Sequence, residues 1–288
     1  MQNLRSALQK YLKGRLSTSG ATFSRFAYAA PLAFLYVAGL MVFRGDGLPV
    51  ANATFALFAV VGGLGQIVAT ALLVSLFSFR NFAVGTTFSK TETAQAAMFG
   101  LVVLGETVSI GAIVAIVVSL IGVVMISITR SAANMRDVAA QWLQPATLIG
   151  LASGAMFGIS AVSYRAASLA LDSGDFVIRA AFTLACVTVF QTVVMAVYMR
   201  LREPGQIGDV LASWRISCWV GLTGMIGSAS WFTAMALQNV AYVRALGQIE
   251  LLFTLAASYL FFGERGSRTE LAGIALVTAG ILILLLAR

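Results

Sequence analysis

The chain has 288 residues, 59% hydrophobic and 10% charged, with a formal net charge of +8. Soluble domains carry about a quarter charged residues, so a wettable globule of ordinary composition is excluded. Apolar runs that are long and do not alternate with polar residues exclude a barrel and point to spanning helices, each needing about 20 residues.

In chain order the apolar runs predict helices at Ala21–Phe43, Thr54–Phe77, Phe82–Leu104, Val108–Ile128, Thr147–Leu171, Phe176–Met199, Ile216–Leu237, Tyr242–Phe262 and Leu271–Ala287. The expected class is an all-α integral membrane protein, multi-pass in the inner or plasma membrane, with nine full spans plus a partial first helix. Gly105-Glu106 and Gly263-Glu264-Arg265 are expected tight turns between antiparallel neighbours; residues 130–144 and 200–213 are the longer polar links. Met1–Leu12 is too short and too polar to span. Cys186 and Cys218, with no histidine in the chain, leave no disulfide framework and no His-rich metal site. No cofactor is expected.

Displaced by 158 positions, the two halves align over their last three helices. Asn81 meets Asn239, Ala83 meets Ala241, Glu92 meets Glu250, Gly105-Glu106 meets Gly263-Glu264 and Gly122 meets Gly280. Carboxylates inside apolar helices are rare, so their coincidence marks an internal repeat, with halves at residues 1–130 and 145–288. With a slightly different displacement, of 160, Arg5 stands for Arg165, and Met1–Leu12 reads as the tail of a first helix. The natural chain is expected to carry roughly 15 to 20 further apolar residues before Met1, enough to complete a span. A unit of five helices reverses direction between halves, which gives the inverted-repeat plan of secondary transporters.

The helix ends Leu104-Gly105-Glu106 and Phe262-Gly263-Glu264-Arg265, with the helix pair of residues 232–260 and its Ala241-Tyr242 turn, resemble the drug/metabolite transporter superfamily and its EamA-type ten-helix members. The resemblance implies two five-helix repeats and transport of small solutes such as amino acids, drugs, sugars or nucleotide sugars. The family often has a Glu-Pro step in its fourth and ninth helices. Here Glu92-Thr93 and Glu250-Leu251 stand in that place, so no proline kink is expected.

Intramembrane carboxylates are costly unless they face protein or water. Gly85, Ser89, Glu92 and Gln95 form one helical stripe; Gly247, Glu250, Thr254 and Ser258 form its mate. Two readings stand: the stripes line a solute path, or each Glu pairs with a basic residue and holds helices together. Lys90 lies about 200° around the helix from Glu92 and aligns with Gln248, an asymmetry suited to an anionic or zwitterionic solute. Arg165, Arg179, Arg25 and Arg244 are interfacial anchors or interhelical partners, or else bind a substrate carboxylate. Gly150, Gly154 and Gly158, and Gly221, Gly224 and Gly227, are expected to let helices approach closely.

No G-x-S-x-G, C-x-x-C, H-E-x-x-H or Walker loop occurs. Gly62-Gly63-Leu64-Gly65 lies within an apolar run and is no dinucleotide fingerprint. The expected function is a secondary transporter, an exporter of small organic solutes such as amino acids or related metabolites, working by alternating access with proton coupling. Its expected partners are the solute and membrane lipid, not nucleic acid, and it acts as monomer or homodimer. A non-transporting subunit and a membrane-embedded lipid-modifying enzyme are the rival readings. Eleven basic residues fall in the odd-numbered connections and two, Arg44 and Arg244, in the even ones. By charge the odd connections face the cytoplasm, whereas the family resemblance implies the reverse.

Overall fold

The computed structural model describes residues 2–45, 47–79, 88–130, 144–250, 253 and 267–286. They form helices, with no strand among the described residues: α1 Gln2–Lys13, α2 Thr18–Arg44, α3 Ala53–Leu76, α4 Glu92–Leu104, α5 Ile110–Arg130, α6 Pro145–Leu169, α7 Phe176–Arg202, α8 Gln206–Ala212, α9 Trp214–Leu237, α10 Val240–Gly247 and α11 Arg268–Leu286. Six are long and apolar enough to cross a membrane, namely α2, α3, α6, α7, α9 and α11, joined by the shorter apolar segments Glu92–Leu104 and Ile110–Ile126. The expected nine full spans are therefore not all present among the described residues. The run at residues 82–104 is interrupted at Lys90-Thr91, and much of the run at 242–262 lies outside the described residues. The polar link at 200–213 contains the short helix α8.

The chain divides into two compact units, Met1–Phe77 with Ile159–Gln238 and Ser78–Gly158 with Asn239–Arg288, so each unit draws on both halves of the sequence. In the first unit α2 and α7 run antiparallel. Ser17 caps α2 by accepting from the Gly20 amide, and Asp175 caps α7 by accepting from the Val177 and Ile178 amides. These are standard ways to satisfy the unpaired amides of a first turn. Each cap also reaches the far end of the other helix: Ser17 Oγ donates to Glu203, and Arg44 pairs with Asp175. Ser17 and Asp175 are 158 positions apart and Arg44 and Glu203 are 159 apart, so the two contacts are reciprocal to within one residue, much as in an isologous pair. Two apolar clusters fill this unit. One, with Leu12, Phe26, Val74 and Met199, lies towards the start of α2; the other, with Phe55, Leu171, Ile178 and Phe232, lies towards its end.

In the second unit α5 and α11 pack antiparallel with their backbones nearly touching. A Cβ on Gly122 would come within 2.6 Å of the Gly273 carbonyl, and one on Gly280 within 2.7 Å of the Ala115 carbonyl. Displacement by 158 exchanges Gly122 with Gly280 and Ala115 with Gly273, so these contacts too are reciprocal. Small residues supply such closeness where lipid offers no hydrophobic drive to association. The expected turn at Gly105 is present. Gly105 has φ of 65°, where a Cβ would be strained, and its amide closes α4 onto the Gly100 and Leu101 carbonyls.

Candidate functional site

The polar side chains of the second unit converge where two helices break. Lys90 and Thr91 form a turn before α4, and Gln248 forms a turn after α10. Lys90 and Gln248 are repeat mates, so both expected spans are interrupted at the same register without a proline. Local hydrogen bonding accounts for the first break. The Thr91 hydroxyl donates to the Phe88 carbonyl at 2.6 Å, and its amide bonds the same carbonyl at 3.2 Å, three residues back instead of four. Threonine competes with helix in this way. Gly154 lets α6 lie against the break: a Cβ there would stand 2.9 Å from the Ser89 carbonyl and 3.3 Å from the Glu92 amide.

Glu92 opens α4, where the positive end of the helix dipole favours a carboxylate. Arg244 Nη1 donates to Glu92 Oε1 at 3.0 Å, with side chains 12% and 18% exposed. Gln248, one turn beyond Arg244, donates from Nε2 to Thr93 Oγ1 at 3.2 Å, and Gln95 donates to Thr91 Oγ1 at 3.1 Å. The carbonyl oxygens of Gln95 and Gln248 are buried and find no hydrogen-bond donor among the described residues. The site thus offers two spare acceptors beside an ion pair, a setting for a donor such as an ammonium, a hydroxyl or water.

The expected stripe of Gly85, Ser89, Glu92 and Gln95 is broken by the Lys90-Thr91 turn, although Ser89, Glu92 and Gln95 remain neighbours along the chain. Ser89 is buried and Lys90 half-buried. Gly85, Thr254 and Ser258 lie outside the described residues; Glu250, at the edge of them, is half-buried. Arg244, expected as an anchor or interhelical partner, is the partner of Glu92. Thr93 was missed; the four-residue spacing of Arg244 and Gln248, which puts both on one helix face, is the signal that points to it.

The first unit holds a second polar set. Arg165 donates from Nη1 to the Met235 and Gln238 carbonyls at 2.6 and 2.9 Å, closing the C-terminal end of α9. A cation is favoured there, so these contacts make Arg165 an interhelical partner. Arg25 is 5% exposed and donates to Thr70 at 2.9 Å; Arg25 and Arg5 both flank Gly224. Gln191 Nε2 donates to Gly63 O, Gln66 Oε1 and Tyr164 Oη, tying α3, α6 and α7. Sequence reasoning missed Gln66 and Gln191, although a lone amide in an apolar helix signals an interhelical bond.

Of the six glycines expected to pack helices, Gly154, Gly158 and Gly221 sit against neighbours that a methyl group would strike, Gly224 is in ordinary contact, and Gly227 meets nothing within 4 Å. Gly150 is buried.

Residues 144–286 match the profile of the EamA-like transporter family. A solved structure titled only "Crystal structure of protein" superposes with a TM-score of 0.72 at 19% identity, covering 99% of this chain and 93% of its own. That likeness shows a shared fold. No curated protein matches the sequence.

Proposed function

We propose that this chain, whose residues 144–286 match the EamA-like transporter family, is a secondary transporter exporting small organic solutes, amino acids or related metabolites, across the plasma membrane. The observation that carries this reading is the half-buried Glu92–Arg244 pair at the start of a broken helix, flanked by the acceptor oxygens of Gln95 and Gln248. Broken helices at the site are a recurring device of secondary transporters, because they present main-chain and side-chain polar groups within the membrane.

Solute and ion pair compete in this scheme. A solute carboxylate takes Arg244 or Lys90, and an ammonium or a proton takes Glu92. Either event opens the pair, and removing one member of a buried pair costs about 3–5 kcal/mol unless a replacement arrives. Occupancy is thereby coupled to rearrangement. Alternating access would use the two inverted repeats, and the reciprocal contacts of Ser17 with Glu203 and Asp175 with Arg44, and of Gly122 and Gly280, support that symmetry.

Reconstituted vesicles loaded with a mixture of amino acids and subjected to a pH gradient test the proposal. Efflux that depends on the gradient and disappears in Glu92→Gln, with the variant still folded, is the expected result. Equal efflux from Glu92→Gln, Arg244→Gln and unmodified protein removes the assignment of this site.

A further inference from the structure

One end of the first unit gathers charge. There α1 and α7 finish and α2 and α9 begin, and Ser17 bonds Glu203 and Gln206. Lys10, Lys13, Arg15, Arg200, Arg202 and Arg215 lie at this end, all exposed except half-buried Lys13. Two carboxylates accompany them, Glu203 and Asp209, and Glu203 already accepts the Ser17 hydroxyl. At the opposite end of the unit Arg44 stands with Asp172 and Asp175. The charge is therefore segregated between the two ends of the unit's long helices, beyond what cap chemistry requires.

Aromatic and apolar side chains are interleaved with these charges. The Arg15 guanidinium lies 5.4 Å from the Tyr11 ring centre and that of Arg215 lies 5.8 Å from Trp214. Tyr11 and Trp214 are 53% and 55% exposed, and Leu201, between Arg200 and Arg202, is 74% exposed. Tyrosine and tryptophan prefer the depth of lipid headgroups. An exposed leucine between two arginines contacts an acyl chain while its neighbours reach the headgroup phosphate. Nucleic acid has no use for an apolar side chain at that place, and the adjoining spans, which must lie in hydrocarbon, put lipid beside it.

We infer that this end of the first unit is a docking surface for anionic phospholipid headgroups. Arg200, Arg202 and Arg215 hold the phosphates, and Tyr11 and Trp214 fix the depth. Each basic residue near an anionic surface strengthens association about five-fold, so three contribute on the order of a hundred-fold. The interaction weakens as salt screens it.

The test uses the purified full chain in neutral detergent, titrated with phosphatidylglycerol, phosphatidylcholine or inorganic phosphate. Bound lipid is counted by native mass spectrometry and the thermal midpoint is followed. Phosphatidylglycerol is expected to bind and raise the midpoint, and raised salt to abolish the effect. The triple variant Arg200→Gln, Arg202→Gln, Arg215→Gln is expected to lose about a hundred-fold in association, while Arg44→Gln at the other end loses nothing. Should the triple variant not fold, the single variant Arg202→Gln is read instead, with an expected loss of about five-fold. Equal binding of phosphatidylcholine, a midpoint rise with inorganic phosphate alone, insensitivity to salt, or undiminished binding by the variants overturns the inference.

Discussion

Replacing Gly122 by alanine places a methyl group 2.6 Å from the Gly273 carbonyl oxygen, 2.8 Å from the Val277 amide nitrogen and 2.9 Å from a Val277 methyl. Two of these neighbours are main chain in a regular helix and cannot rotate away. Ordinary contact begins at 3.4 Å, so α5 and α11 must part by about 0.8 Å. A gap of that size forfeits a quarter to a half of the dispersion energy of each opened contact, and overpacking of a tight site costs about 1–3 kcal/mol. Alanine returns about 0.5–1 kcal/mol through its helix preference. The net expectation is a loss of about 1–2 kcal/mol. Gly227→Ala, with nothing within 4 Å, receives the gain without the clash and should be neutral or slightly stabilising. Gly280→Ala should behave like Gly122→Ala. The double variant should lose less than the sum, because helices already parted accept the second methyl group cheaply. Unfolding of the purified protein in micelles with increasing denaturing detergent reads all four variants. A Gly122→Ala protein as stable as Gly227→Ala refutes the close backbone packing.

Removing either member of the half-buried Glu92–Arg244 pair is expected to lower stability, by less than the ~3–5 kcal/mol of a fully buried pair, and the double variant Glu92→Gln, Arg244→Gln to recover part of it; a thermal melt of the three proteins checks this, and additive losses would deny the coupling. The Asp175 carboxyl is held below its usual range chiefly by the Ile178 amide; burial opposes this, and Arg44 and the Val177 amide each add a smaller lowering contribution. Its contribution is therefore complete above about pH 3.8 and lost as pH falls through the lower folded value, so Asp175→Asn should flatten the acid limb of the stability profile and nothing else. Arg165→Met should free the Met235 and Gln238 carbonyls and speed amide exchange in the last turn of α9, at a cost of about 1.5–3 kcal/mol for the lost charged hydrogen bonds. A cysteine at Ser213 should react with a membrane-impermeant reagent only from the cytoplasmic side, because the basic end of the first unit belongs there; labelling of intact cells reverses that orientation.

Helix type and most boundaries were legible because spanning segments impose a length and a composition that few other structures share. α2, α3, α7 and α9 begin and end within about three residues of the apolar runs. The break at Lys90-Thr91 was not legible. A proline announces a kink, whereas a threonine hydroxyl bonding Phe88 is a local choice that hydropathy does not record. Glu92 could be singled out from cost alone, since a carboxylate in an apolar run demands a reason. That Arg244, one of several candidate interhelical partners, is the residue it pairs with was not legible, because pairing 152 positions apart depends on how α10 lies against α4. α8 escaped notice because seven residues are too few for a periodic signal, and its start is fixed by Gly205 at φ of 95°.

The Glu92–Arg244 pair has an electrical consequence. A lone charge moved across a membrane gains or loses about 2.3 kcal/mol per 100 mV. Glutamate and arginine held at 3.0 Å are equal and opposite, so the pair carried intact through the field moves no net charge. With the pair closed, the membrane potential has no net purchase on these two residues. On the transport reading proposed above, it would acquire one when a proton or a charged solute group separates the two, and the charge that crosses would then be that of the visitor. Current recorded per solute moved would accordingly count the charge of the cargo and its proton, with the protein's own carboxylate and guanidinium cancelling.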